Sequence, residues 1–227
     1  MSHKCCLVMF VRYPEPGKVK SRLILDEDGT LAASLYRCFI EDLVEKVSNG
    51  NYQFWMAYDP PERKHDFIEL FGDDFFYTPQ IAGDLGKRMC NAFTGCFLKG
   101  FQSVVMIGSD SPDLPALLIR EAFDSLEKNG AVIGPAFDGG YYLIGFSRDS
   151  FSSRVFENMA WSTDRVFPET MRRFHEDAVS VHVLPMWRDM DRREDVLALV
   201  EKHEKSYFGQ SRTIRFLKEH GLAKADG

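Results

Sequence analysis

Two short segments of the chain combine residue types that handle phosphate. Gly108-Ser-Asp-Ser-Pro-Asp-Leu-Pro115 follows directly on the apolar run 103–108, with Asp110 where that run ends and Asp113 after a proline turn. Carboxylate oxygens are hard ligands that suit Mg2+ or Mn2+. A divalent cation held there bridges phosphate oxygens and stabilises a leaving diphosphate. The competing reading is local: Asp113 caps a turn and Asp110 merely opens the loop. The second segment runs from Arg12 to Leu23 and offers Lys18, Lys20 and Arg22 within five residues, with Gly17 among them. Glycine lets backbone amides approach an anion closely, and Lys and Arg complete such a cradle. The loop is neither a Walker A sequence nor a GxGxxG fingerprint, and a solvated basic loop is its plainer alternative.

Three further patches carry candidate residues. In Gly134-Pro-Ala-Phe-Asp-Gly-Gly-Tyr-Tyr-Leu-Ile-Gly145, Asp138 is a candidate base for an acceptor hydroxyl. Gly139, Gly140 and Tyr141 are candidate walls of a substrate pocket, because glycines leave backbone uncovered and an aromatic ring can stack. The same residues also spell a hairpin with an Asp-Gly turn. In Trp187-Arg-Asp-Met-Asp191, Asp191 suits a helix N-cap and equally a further carboxylate for a metal. In Gly83-Asp-Leu-Gly-Lys-Arg88, Lys87 and Arg88 fall in the first turn of a helix, where the dipole disfavours cations. A nearby phosphate explains them, and so does a surface salt bridge. The six histidines show no metal-ligand spacing, and no nucleophile-elbow or cysteine-nucleophile signature occurs.

The elements that must position these residues alternate in type. Continuous apolar runs at 5–11, 52–58, 103–108 and 131–135 predict buried strands, with further strands at 75–78, 140–146 and 179–184. Helical spacing predicts helices over 30–48, 62–71, 84–98, 115–128, 164–177, 192–204 and 211–220, with Thr30 as an N-cap, and Gly50 and Gly130 closing helices. Residues 12–29 read as loop. Such alternation predicts a three-layer α/β/α fold with a mostly parallel mixed sheet. In these folds ligands sit beyond the carboxyl ends of the strands, which singles out the loops carrying Lys20 and Asp110. The chain reads as a single domain over 1–227, with 205–227 a peripheral C-terminal helix.

A net charge of −6 over 227 residues argues against a general nucleic-acid binder, which needs a surplus of Lys and Arg. No apolar stretch approaches the length of a membrane span, and the start lacks the apolar core of a signal peptide. Five cysteines without a metal-type CxxC suit free thiols in a reducing cytoplasm. Nineteen phenylalanines point to bulky core packing.

Taken together and in order, PEPGKVKSRL, GDLGKRM, IGSDSPDLP, GPAFDGGYYLIG, Trp161-Ser-Thr and RDMD resemble a bacterial family of nucleotide-diphospho-sugar transferases with the Rossmann-like GT-A fold, some linked to arsenosugar biosynthesis. The resemblance covers nearly all of residues 5–200. It implies a UDP- or GDP-type sugar donor, a small-molecule acceptor and a divalent cation on a DxD-like motif, here Asp110-Ser-Pro-Asp113, one residue longer than a strict DxD. With such a donor, Arg12, Gly17, Lys18, Lys20, Arg22, Lys87 and Arg88 of the two basic patches are the expected nucleotide- and diphosphate-binding residues. Nucleotidyltransferases of the same superfamily resemble the chain in Lys20-Ser-Arg-Leu23 and in Asp189-Met-Asp191, which raises Asp191 as a metal ligand beside Asp110 and Asp113. Glycosyl transfer is the expected chemistry, and nucleotidyl transfer with pyrophosphate release is the alternative.

Overall fold

The computed structural model describes residues 4–24, 28–81 and 83–223. Strand β1 (Cys5–Arg12) leads through a turn-rich loop to α1 (Thr30–Val47), then β2 (Gln53–Asp59), α2 (Lys64–Phe71), β3 (Phe76–Pro79) and α3 (Leu85–Leu98). The chain continues through β4 (Ser103–Ile107), α4 (Ala116–Ser125), β5 (Ala131–Pro135), β6 (Tyr141–Ser147), α5 (Val166–Glu176), β7 (Val181–Val183), α6 (Arg193–His203) and α7 (Arg212–Glu219). The seven strands form one sheet in the order β3-β2-β1-β4-β6-β5-β7. Only β6 runs against its neighbours, pairing antiparallel with β4 and β5. The other pairings are parallel, so β1, β2, β3, β4, β5 and β7 all end on one edge of the sheet.

The strands read as unbroken apolar runs because both faces of the sheet are covered. Along β1, Leu7, Met9 and Val11 enter a core shared with α1, α4, α6 and α7. Cys6 and Val8 point the other way, into a core with α3 and α5. Both cores take up phenylalanines, and in the second they cluster. Phe93, Phe97, Phe146, Phe151, Phe156 and Phe174 lie in mutual ring contact, with centroids 5.0–6.3 Å apart. Fully burying one such ring contributes about 2–3 kcal/mol.

Element ends differ in detail from the sequence reading. Helix α1 is preceded not by a Thr30 cap but by Gly29 in the left-handed region at φ 72°, while the Asp28 carboxylate accepts the Thr30 amide at 2.9 Å. A side chain at Gly29 would lie 2.2 Å from the Gly17 nitrogen, so the two glycines pinch the basic loop shut. Ser48, rather than Gly50, ends α1. Gly130 closes no helix: α4 stops at Ser125, and the Gly130 amide donates to Ser180 O (2.9 Å) beside a crowding Ser150 side chain. The C-terminal helix α7 packs on α1, with Ile214 and Leu217 buried. The buried Asp42 carboxylate receives the amides of Arg212 (3.1 Å) and Thr213 (2.9 Å) at its start.

Candidate active site at the carboxyl edge of the sheet

Strand β4 ends at Ile107, and the next residues carry Asp110 over the sheet edge. Three contacts hold this turn. Tyr36 Oη shares a hydrogen bond with Ser109 Oγ (2.6 Å) while accepting the Arg12 amide (3.2 Å), which ties α1, β1 and the turn together. The Met190 amide donates to Asp110 O (2.8 Å), bringing in the chain that returns from β7. Ser111 Oγ donates to Asp189 Oδ1 (2.5 Å). Burial, followed by the charge of Asp110, pushes the Tyr36 phenol up to about 12, so it stays a neutral strut.

At the centre stands Lys20. Its side chain is only 9% exposed, and Nζ lies 2.8 Å from Asp110 Oδ1, 2.8 Å from Asp191 Oδ1 and 2.7 Å from Met190 O. Burial alone would lower its basicity, but Asp110 and Asp191 outweigh burial and hold the ammonium well above the usual lysine range. Lys20 also adopts the left-handed backbone region at φ 52°. A non-glycine residue there costs about 1–2 kcal/mol, and such strain collects where geometry serves a site.

Asp189 completes the cluster. Its carboxyl is pushed up to about 7, by burial first and then by the charges of Asp110 and Asp191, against the Ser111 hydrogen bond and Lys20. Three carboxylates thus lie around one ammonium, and the charges of Asp110 and Asp191 add to the larger effect of burial on Asp189. All three side chains offer hard oxygen donors, the type that suits a divalent cation. Among the described residues no three His, Cys, Asp or Glu side chains close a ready-made metal cage. The Lys20 ammonium lies between Asp110 and Asp191.

The expected site residues therefore divide. Lys20, Asp110 and Asp191 come together. Asp191 is not the N-cap of α6: Arg192 holds that position, and the Asp195 carboxylate receives the Asp191 (3.2 Å) and Arg192 (2.9 Å) amides. That arrangement leaves the Asp191 carboxylate to Lys20. Asp113 corrects the expectation of a metal ligand. Its side chain is 2% exposed and accepts from Trp187 Nε1 (2.9 Å), Lys202 Nζ (2.7 Å) and His203 Nε2 (2.9 Å). Burial raises its carboxyl, but the hydrogen bonds from Lys202 and His203 prevail and hold it below the ordinary range. Both its oxygens are spent on structure.

Arg12 and Arg88 meet two strands away, where both reach the Asp59 carboxylate, at 4.0 Å and 3.1 Å. Lys18 is exposed and paired with Glu15 (2.9 Å), while Lys87 is exposed and lies along Gly83. The Arg22 side chain lines a separate cleft with Arg192. Gly17 takes φ 73° in the loop's turn.

The 136–140 segment is a hairpin turn joining β5 to β6. Asp138 Oδ1 accepts the Gly140 amide (2.8 Å), and the Ala136 amide donates to Gly140 O (3.0 Å). Among the described residues, no hydrogen bond or ion pair links Asp138 to Lys20, Asp110, Asp189 or Asp191. Gly139, at φ 88°, lacks a side chain because Asp164 Cα would stand 2.3 Å from a Cβ. Tyr141 is half-buried and packs against the second core, with its hydroxyl toward Met89 Sδ (3.8 Å). Asp189 and Ser111 are the residues that motif reading passed over, although Asp189-Met-Asp191 carried the signal of alternate carboxylates.

The strand order with one reversed strand, and an acidic cluster beyond the carboxyl end of β4, define an α/β nucleotide-diphospho-sugar transferase fold. The chain belongs to the family described as "Uncharacterized protein conserved in bacteria (DUF2064)", which matches residues 43–163. A Desulfovibrio desulfuricans G20 protein described as a "putative nucleotide-diphospho-sugar transferase" is 36% identical, with a TM-score of 0.94 over 99% of this chain and 100% of that one. The 4-diphosphocytidyl-2C-methyl-D-erythritol synthase of Anaerococcus prevotii shares the fold at 12% identity and TM-score 0.57, over 88% and 96% of the two chains. A Mycobacterium tuberculosis H37Rv protein in complex with manganese does so at 14% identity and TM-score 0.50, over 88% and 100%. No curated protein is significantly similar in sequence. No helix among the described residues is long and apolar enough to cross a membrane.

Proposed function

We propose that this chain is a divalent-metal-dependent glycosyltransferase, moving a sugar from a nucleotide-diphosphate donor to a small acceptor. The observation that carries the reading is the Lys20 ammonium 2.8 Å from both Asp110 and Asp191, with the buried Asp189 carboxyl held on the same turn by Ser111. Asp110 and Asp191 would hold Mg2+ or Mn2+, and the cation would supply charge neutralisation on the diphosphate as it leaves. Lys20, released from the carboxylates, holds a phosphate oxygen. Arg12, Lys18 and Arg88 present further cations along the same edge. The nucleotide-diphospho-sugar description of the Desulfovibrio relative and the manganese in the Mycobacterium protein support the donor and the metal.

Nucleotidyl transfer is the second reading. It is favoured by the hairpin tying of Asp138, which leaves no assigned base for an acceptor hydroxyl, and by the cytidylyl-type enzyme among the fold relatives. Product identity separates the two. Purified protein with Mn2+ and UDP- or GDP-sugars should release UDP or GDP once a phosphorylated or hydroxylated acceptor pool is added. Pyrophosphate release from an NTP, with nucleotide sugars untouched, would replace the first reading by the second.

A further inference from the structure

A cleft of about 600 Å3 is lined by Arg22, Leu23, Ile24, Arg192, Arg193, Glu194 and Leu222, residues that, Leu222 apart, follow Lys20 and Asp191 closely along the chain. It forms where two segments already joined at the active site continue past it. Lys20 binds Met190 O and Asp191, and two residues further along each segment Arg22, Arg192 and Arg193 line the same cleft. Arg192 on its wall follows Asp191 directly in the chain. In a chain of net charge −6, three of its seven lining residues are arginines and one is a glutamate. Arg193 has a partner of its own, so the case rests on Arg22 and Arg192. Both side chains are exposed, and no carboxylate pairs with either among the described residues. Leu23 and Ile24 are buried and form an apolar floor.

Guanidinium forks match phosphate oxygens in pairs, and Arg is more weakly hydrated than Lys. An apolar floor with a cationic rim suits a small organic molecule carrying one terminal anionic group. We infer that this cleft binds the phosphate group of the acceptor, so that the transferase acts on a phosphorylated small molecule whose reactive end reaches Asp191. The inference rests on the transferase reading above for the word acceptor, but not for the anion site itself. Arg22 and Arg192 grip the phosphate, Glu194 sits on the rim, and the distance from cleft to cluster sets which end of the acceptor meets the donor.

The test is calorimetric titration of the full chain with inorganic phosphate in EDTA, so that no metal bridges phosphate to the acidic cluster. Wild type should bind phosphate, and the Arg22→Met/Arg192→Met variant should bind at least about tenfold more weakly, the loss expected for charge-assisted hydrogen bonds. Arg22→Lys/Arg192→Lys should recover part of the affinity, since charge survives and the fork does not. Equal affinity in wild type and the methionine variant, or no phosphate binding by wild type, overturns the site. Acetate binding as tightly as phosphate overturns the phosphate assignment. A parallel titration with Mn2+ and UDP or GDP separates the two ideas. If nucleotide never binds but phosphate is lost with the arginines, the anion site stands and its role as an acceptor subsite falls.

Discussion

Asp110 and Asp113 lie three residues apart on one loop, and the fold puts them to opposite uses. Asp110 is 43% exposed, and its one ion-pair partner among the described residues, Lys20, is shared with Asp191; Asp113 is 2% exposed and held by an indole, an ammonium and an imidazole from two other segments. A carboxylate whose oxygens all have protein donors is stabilised as an anion and has no coordination left to give. A carboxylate that shares one lysine with two like-charged neighbours retains unmet demand for positive charge. The difference teaches that acidic spacing along a loop does not make a metal site. What decides is which carboxylates the surrounding segments leave short of donors.

Predictions follow from breaking each side of this contrast. The largest effect belongs to Asp110→Asn, which should lower turnover at saturating Mn2+ by about 100-fold or more with no loss of thermal stability. Asp113→Ala should do the reverse. It strands Lys202, His203 and Trp187 and should destabilise the fold by about 3 kcal/mol in denaturant unfolding, while Mn2+ binding well below the melting temperature survives.

The two sites should also differ in pH response. The folded Asp113 carboxyl lies below its unfolded value. Its stabilisation is therefore complete above the unfolded carboxylate range near 3.9 and is lost as pH falls through the folded value. Acid unfolding curves of wild type should show this loss, and those of Asp113→Ala should be flatter below pH 4. Asp189 is raised to about 7, so its proton favours the fold below the ordinary carboxylate range and that contribution fades as pH rises through 7. Asp189→Asn should accordingly stabilise the metal-free protein at pH 8 by about 1 kcal/mol or more, read as a higher melting temperature in EDTA.

The smallest expected effect is Asp138→Ala. Loss of one exposed turn hydrogen bond should change stability by no more than about 0.5 kcal/mol and turnover by less than about twofold. A hundredfold fall in turnover would return Asp138 to the reacting atoms.

Much of this molecule is legible in its sequence because its elements obey strong local rules. The apolar runs of β1, β4 and β5 have no polar face to hide, and the stripes of α1 and α3 repeat at helical spacing. That Lys20 and Asp110 meet at the sheet edge was legible because both loops follow parallel strands. The partition between Asp110 and Asp113 was not legible, because Trp187, Lys202 and His203 lie 74, 89 and 90 residues further on. Likewise Asp191 satisfies the grammar of an N-cap, and only Asp195 reaching back to the cap amides frees it. The Asp-Gly-Gly turn fits a hairpin and a pocket equally until Asp164 is seen filling the space beside Gly139.

The central claim is that Asp110, Asp189 and Asp191 form an anionic cluster that a divalent cation and a nucleotide diphosphate neutralise together with Lys20. Calorimetric titration of UDP and GDP, with Mn2+ and with EDTA, tests it most directly. The account predicts binding that requires Mn2+ in wild type and is abolished in Asp110→Asn; equal affinity in the two proteins, or in Mn2+ and EDTA, would contradict it.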